Sequence, residues 1–281
     1  MNIHQLDSLG GVRATLNYLL RTDKKPYNYT FDPPPGVPAR YGEVNAIDNV
    51  LIRDARPAAD ALSLDEQGFA LRRHESAVED FYDEDQIRDR YYPEIDAFLK
   101  RETGGEKVII FDHTIRSLPK FEAGIAGMRE PVRRVHNDYT ELSGRRRVTD
   151  HLDGPEAAAR LRNRFIEVNV WRPIRGPLED TPLAVLDART VAPDDLIASD
   201  LIYKDKVGET YAVQFNPKHR WYYFPRMQRD EVILIKGFDS DTAIPSRFTP
   251  HTGFDDPTAP PNALPRESIE VRALVFFPPA A

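Results

Sequence analysis

The chain of 281 residues contains no cysteine. Disulfide bonds, thiolate metal sites, iron–sulfur clusters and cysteine nucleophiles are therefore excluded. No apolar run reaches the 18 residues that a membrane-spanning helix needs. A basic excess is also missing, because 38 Lys and Arg residues stand against 45 Asp and Glu residues, for a formal net charge of −7. We therefore expect no membrane span and no nucleic-acid partner, while the oligomeric state stays open.

The first residues of the chain carry neither a charged segment nor an apolar segment of the kind found in secretory signals. Hydrophobic residues make up 41% of the sequence and charged residues 30%, which is enough for a buried core beneath a soluble surface. These features predict a globular, cytoplasmic protein.

The 24 prolines and 15 glycines divide the chain into short apolar segments, a pattern that favours strands joined by loops. Helical spacing of apolar residues predicts one helix at about 84–101, capped by Asp83, and a proline near its start favours a short second helix at 155–163. Alternating patterns predict strands at 12–18, 49–53, 107–111, 165–171, 210–215, 221–224, 231–236 and 266–276. Many short strands and few helices indicate a mainly β fold, namely a sandwich, jelly roll or barrel, with an α+β extension at its N-terminus. We expect a single domain over 1–281, with the extension at 1–105.

A metal site in this chain must use His, Asp and Glu, because cysteine is absent. A His-x-Asp pair on a strand points both side chains to one face, where both can reach one ion. The sequence has two such pairs, His136 with Asp138 and His151 with Asp153. Residues 132–138 alternate as in an extended segment, whereas Asp153 precedes Gly-Pro and is more typical of a helix cap. His136 and Asp138 are therefore the better candidate ligands.

Two histidines are candidates for the third ligand. His219 begins an aromatic strand, where a packing role is more common, and His251 opens a loop rich in Asp and Pro. The residues alone leave both open.

The last predicted strand carries polar and apolar residues on opposite faces. Ile269, Val271, Ala273 and Val275 share one face, and Arg266, Ser268, Glu270 and Arg272 share the other. Arginine offers paired donors to a carboxylate, and Ser268 could add a hydroxyl. The alternative is a solvated face on which Glu270 neutralises the cations.

Three further residues are candidates for substrate contacts. Arg116 closes the polar cluster 112–116 directly after the strand 107–111, although this cluster also fits a turn at the strand end. Trp171 and Trp221 could line a pocket, with core packing as the alternative.

Several of these motifs, in this order, resemble the iron(II)- and 2-oxoglutarate-dependent oxygenases of secondary metabolism, a family that includes the fungal gibberellin desaturase and proteins labelled after a cephamycin 7α-methoxylation component. The segments that carry the likeness are FDHTIR at 111–116, HNDYT at 136–140, NVWRP at 169–173, PLAVLDA at 182–188, HRWYYFP at 219–225, EVILIK at 231–236, PHTGFDDP at 250–257 and PRESIEVR at 265–272. No Gly-rich loop for S-adenosylmethionine follows a strand, so the methyltransferase label of some members is not expected to apply.

The resemblance implies a double-stranded β-helix (jelly roll) catalytic core at 106–281. It also implies that His136, Asp138 and His251 bind Fe(II), and that Arg266 anchors the co-substrate 2-oxoglutarate. Arg272 is then a second carboxylate contact. The implied reaction uses O₂ to oxidise a small molecule at an unactivated carbon, by hydroxylation, desaturation or oxidative cyclisation.

Two other functions fit the same residues. A cupin-like metalloenzyme would keep the three metal ligands but would not need Arg266. A non-catalytic jelly-roll binding module would leave the triad without metal.

Overall fold

The structure, a computed structural model, describes residue 6 and residues 8–279. Its strands are β1 (Gly11–Leu19), β2 (Tyr27–Tyr29), β3 (Arg40–Tyr41), β4 (Val44–Asp54), β5 (Phe69–Arg73), β6 (Lys107–Ser117), β7 (Met128–Arg129), β8 (His136–Asn137), β9 (Phe165–Pro173), β10 (Leu183–Leu186), β11 (Leu196–Ile202), β12 (Val207–Val213), β13 (Trp221–Tyr223), β14 (Glu231–Asp239), β15 (His251–Gly253) and β16 (Glu267–Phe276). The helices are α1 (Glu84–Gln86), which continues through a π-helical turn (Ile87–Tyr91) into α2 (Tyr92–Thr103), and then α3 (Leu118–Glu122), α4 (Glu141–His151) and α5 (Gly154–Arg160). No helix in this part of the chain is long and apolar enough to cross a membrane.

The strands form two sheets that pack against each other. The larger sheet has the order β1-β4-β13-β10-β15-β8-β12-β11-β2-β3, and the smaller one has the order β5-β14-β9-β16-β6-β7. One apolar cluster joins them, with Phe69, Trp171 and Ile233 from the smaller sheet and Val185 and Tyr222 from the larger. The predicted mainly β, jelly-roll class is confirmed.

Strand alternation in β16 separates the core from the interior of the roll. Ile269 and Val271 pack outward against Ile95 and Phe98 of α2. The intervening residues, Ser268 among them, therefore face the space between the two sheets. The predicted two faces of this strand are thus present, and the polar face is enclosed rather than solvated.

The predicted N-terminal extension contributes strands to both sheets. β4 pairs with β13 in the larger sheet, and β5 pairs with β14 in the smaller sheet. The helix predicted at 84–101 runs from Glu84 to Thr103, and the Asp83 carboxylate accepts hydrogen bonds from the Asp85 and Gln86 amides. The boundary at residue 105 stays a prediction.

Two local features differ from the sequence-based expectation. β6 does not end at Phe111 but continues to Ser117, because it pairs with β16 along its whole length. The helix α4 was not predicted, because its buried residues are only Gly144 and Val148 and its apolar periodicity is weak. Thr140 caps it, and a side chain at Gly144 would collide with the Phe238 ring.

Candidate active site

Strand pairing brings two of the predicted ligands together. His136 of β8 lies directly opposite His251 of β15 in the antiparallel register, and their ring centroids are 4.5 Å apart. His251 is buried and His136 is half-buried. The residues are far apart in the sequence, so only the pairing of these two short strands makes them neighbours.

Backbone carbonyls determine the tautomer of both rings. His136 Nδ1 lies 2.8 Å from the Arg134 carbonyl, and His251 Nδ1 lies 3.2 Å from the Thr249 carbonyl. A carbonyl only accepts, so each Nδ1–H donates and each Nε2 lone pair is left for another partner. Burial lowers the pKa of His136 to about 4, with His251 adding to the effect, so the ring is neutral at physiological pH.

Asp138 offers one free carboxylate oxygen to the same point. Its Oδ2 accepts hydrogen bonds from Asn169 Nδ2 at 2.7 Å and from Arg272 Nε at 3.1 Å, while Oδ1 lies 3.5 Å from His136 Nε2. Burial alone would raise the pKa of Asp138, but Arg272 and the two histidines hold it well below its usual value. The carboxylate is therefore ionised and oriented.

These three side chains suit a divalent metal ion. Their ligand atoms lie within 4.8 Å of one another, and no other such cluster of three is present in residues 8–279. Two imidazole nitrogens and one carboxylate oxygen, with no sulfur, form the donor set typical of non-heme Fe(II) oxygenases.

Arg266 is a buried cation beside this cluster. Its Nε donates to Ser268 Oγ at 3.0 Å, its Nη1 donates to the Thr181 carbonyl at 3.1 Å, and its guanidinium stacks on Trp171 at 5.0 Å from the ring centroid. No carboxylate of the described residues forms an ion pair with the guanidinium. Burial, followed by repulsion from Arg116, lowers the pKa of Arg266 to about 9, so it stays protonated at neutral pH. A buried, unpaired guanidinium is costly and therefore favours an anionic ligand.

Arg272 has a different position from the one expected. It bonds Asp138, donates from Nη2 to Glu270 Oε1 at 2.5 Å, and donates from Nη1 to Asp112 Oδ1 at 3.1 Å. Burial alone would lower the pKa of Arg272, but Glu270 and Asp138 raise it well above its usual value. Since its donors are already directed at protein carboxylates, the geometry does not favour Arg272 as a second co-substrate contact and makes it a partner of Asp138.

One cavity connects these features. Its lining residues are Arg116, Val132, His136, Trp171, Leu183, His251, Arg266 and Glu270. Arg116 and Trp171, two of the predicted substrate contacts, are among these lining residues, and their contact with a substrate stays a prediction.

Trp221 is a correction, because the structure places it in the core. The ring is fully buried among Leu16, Ile52 and Val213, and its Nε1 donates to the Tyr18 hydroxyl at 2.7 Å. It is not among the described residues that line the cavity.

The other two candidate histidines have structural contacts. His219 Nε2 lies 3.1 Å from Asp195 Oδ2, and Nδ1 lies 3.2 Å from the Tyr18 hydroxyl. His151 ends α4 and stacks on Phe111. Neither belongs to the three-residue cluster.

Sequence reasoning missed Asn169 and Thr181. Asn169 is a buried polar residue of β9 between Val168 and Val170, a position that could have identified it. Thr181 contacts Arg266 through its backbone carbonyl, for which the sequence has no signal.

Comparison with known proteins identifies the family of this chain. A family model described as "YDMC: Oxidoreductase/YMDC permease-like domain" matches residues 16–276. The Fe(II)/2-oxoglutarate-dependent dioxygenase nvfI of Aspergillus novofumigatus is 37% identical over 234 residues, which are 81% of this chain and 82% of the relative. The chain belongs to the Fe(II)/2-oxoglutarate-dependent dioxygenases. The predicted family and enzyme class are confirmed.

Two further relatives of this dioxygenase have similar descriptions. The alpha-ketoglutarate-dependent dioxygenase phiK of a fungal species (strain ATCC 74256) is 36% identical over 85% of this chain and 87% of its own length. The hydroxylase/desaturase efuI of Hormonema carpetanum is 32% identical over 81% and 83%, respectively. The solved structure of the iron and alpha-ketoglutarate-dependent endoperoxidase NvfI matches with a TM-score of 0.86 at 30% identity, over 94% of this chain and 97% of that one. This dioxygenase therefore uses Fe(II) as its cofactor, and 2-oxoglutarate, O₂ and a small-molecule substrate as its reactants.

Proposed function

We propose that His136, Asp138 and His251 hold the Fe(II) with which this dioxygenase hydroxylates, desaturates or oxidatively cyclises its substrate. One observation carries the assignment. The histidine Nδ1 atoms and one Asp138 oxygen are already bonded to the protein, so the remaining three ligand atoms converge on one point. Iron with bound 2-oxoglutarate supplies an oxidant that removes hydrogen from an unactivated carbon.

The surrounding residues have separate roles in this proposal. Asn169 and Arg272 hold Asp138 in its orientation, as second-shell partners of metal ligands commonly do. Arg266 binds the distal carboxylate of 2-oxoglutarate, and Ser268 holds the guanidinium in place. Trp171 and Arg116 form the wall on which the substrate lies.

The acidic net charge of −7 and the lack of cysteine support a cytoplasmic enzyme without a nucleic-acid partner. Imaging of a tagged chain tests the cytoplasmic location. A gel-shift assay with duplex DNA tests the absence of a nucleic-acid partner.

An anaerobic titration with Fe(II) and then 2-oxoglutarate tests the metal assignment. The wild-type enzyme is expected to develop the weak visible charge-transfer band of the chelate. His251→Ala is expected to lose it, while the matched control His219→Ala keeps it. The reverse result would move the third ligand to His219. Failure of the wild-type enzyme to form succinate from 2-oxoglutarate in air would contradict the use of the oxo acid.

A further inference from the structure

Arg116 is a second cation in the wall of the cavity. It lies on β6 in register with Ser268 of the adjacent strand β16, which Arg266 immediately precedes. Its side chain lines the same cavity as both histidines. Its guanidinium is close enough to help lower the pKa of Arg266.

No carboxylate of the described residues forms an ion pair with Arg116. Its described hydrogen bond runs from Nη1 to the neutral Glu130 carbonyl at 2.8 Å. Glu270 is the anion that stabilises it most, but this carboxylate is bonded to Arg272 and forms no ion pair with Arg116. The Arg116 side chain is half-buried, and burial lowers the pKa of its guanidinium.

The co-substrate does not remove this imbalance. In the proposed site, Asp138 and the metal-bound carboxylate of 2-oxoglutarate offset the two charges of Fe(II), and the distal carboxylate offsets Arg266. Glu270 and Asp112 are both hydrogen-bonded to Arg272, and neither forms an ion pair with Arg116. Among the described residues, Arg116 is then the cation of the cavity wall that has no carboxylate in direct contact.

We infer that Arg116 binds a carboxylate of the substrate, so that the enzyme acts on small carboxylic acids. This inference rests on the proposed function and specifies its substrate class. The remaining wall residues, Val132, Leu183 and Trp171, are apolar, so they would contact the hydrocarbon body attached to that carboxylate.

The test uses simple acids as probes on the full-length enzyme with Fe(II) and saturating 2-oxoglutarate, without O₂. Straight-chain carboxylates from butyrate to decanoate are compared with their primary amides, and binding is followed by the change in the visible band. Arg116→Gln removes the charge, and Arg116→Lys keeps it. Arg129→Gln is the matched control, because Arg129 is exposed and pairs with Arg116 in the adjacent strand β7.

We expect at least one acid to bind wild type roughly 10- to 100-fold more tightly than its amide, as for a charge-assisted hydrogen bond. Arg116→Gln should abolish this preference and Arg116→Lys should retain part of it. Arg129→Gln should keep it, and the affinity for 2-oxoglutarate should change less than about threefold in all three variants.

Three results would overturn the inference. One is equal binding of acids and amides across the whole series. Another is loss of the 2-oxoglutarate band on adding the acids, which would place them in the co-substrate site. The third is an Arg116→Gln variant that weakens 2-oxoglutarate instead of the probe, which would make Arg116 a second co-substrate anchor. The proposed function fails separately, if wild type forms no band with 2-oxoglutarate before any probe is added.

Discussion

Arg266→Ala is expected to raise the 2-oxoglutarate concentration for half-saturation by roughly 10²-fold, as for a charge-assisted pair worth about 3 kcal/mol. The structure supports this magnitude because the guanidinium is buried, protonated and without a protein carboxylate. Its hydrogen bonds to Ser268 and Thr181 hold the guanidinium in place before the ligand binds, so little conformational entropy is lost on binding.

The assay is the anaerobic titration of the Fe(II) enzyme with 2-oxoglutarate, monitored by the visible band, after thermal melting shows that each variant is folded. Iron affinity in the absence of 2-oxoglutarate should be nearly unchanged in Arg266→Ala, because Arg266 does not contact the three ligands. Arg266→Lys should recover only part of the loss, since an ammonium lacks the paired donors. Arg272→Ala should instead weaken iron binding, because it removes a partner of Asp138.

The reasoning would be refuted by an Arg266→Ala variant that titrates like wild type. If Arg272→Ala then weakened 2-oxoglutarate without affecting iron, the anchor would be Arg272. If neither single variant nor the double variant changed the titration with 2-oxoglutarate, the proposal that these arginines bind a carboxylate would be wrong.

Three other changes give separate tests. Asn169→Ala should weaken Fe(II) binding roughly 10- to 100-fold by freeing Asp138, and unchanged iron affinity by metal titration would argue against this support. Gly253→Ala places a methyl group 3.3 Å from Arg266 Nη1 and should weaken 2-oxoglutarate by roughly threefold to tenfold, whereas an unaltered titration would mean that the arginine adjusts freely. Burial raises the pKa of Glu167 well above its usual value. Between the unfolded pKa of about 4.3 and the folded pKa, the folded state therefore keeps a proton that the unfolded state releases. In that range the free energy of unfolding falls by about 1.4 kcal/mol for each pH unit. Glu167→Gln removes this loss, so the free energy of unfolding of the variant minus that of wild type should increase as pH rises from 5 to 8. If this difference stays constant with pH, Glu167 is ionised in the folded state.

Local periodicity was enough to predict the polar face of the last strand and one ligand pair. The spacing of His136 and Asp138 identified candidate ligands, and the alternation of Arg266 with Ser268 identified the polar face for which we propose anion binding. Both signals act within a few residues, where the two-residue period of a strand fixes relative direction. His251 followed only from the family resemblance, because a single histidine carries no spacing.

Partner choice across strands could not be predicted. Arg272 bonds Asp138, which is 134 residues earlier in the sequence, and Trp221 finds the Tyr18 hydroxyl 203 residues away. Such contacts depend on strand order and register, which alternation does not determine. The helix α4 was missed for a related reason. It packs against Phe238 through Gly144, so its sequence lacks the apolar periodicity that predicts a helix.

Arg272 of β16 and Arg266, which immediately precedes that strand, show how register gives identical side chains different partners. A bulge follows Arg272 in its pairing with β6 and places Asp112 directly opposite it. With Asp112, Asp138 and Glu270 around it, Arg272 has more anions than it can neutralise and acts within the protein. Arg266, six residues earlier on the same face, has a hydroxyl and a carbonyl as hydrogen-bond partners, so its charge is left for a ligand. The acids at 112, 138 and 270 therefore surround Arg272, which fits its proposed support of a metal ligand, whereas Arg266 fits its proposed binding of the co-substrate.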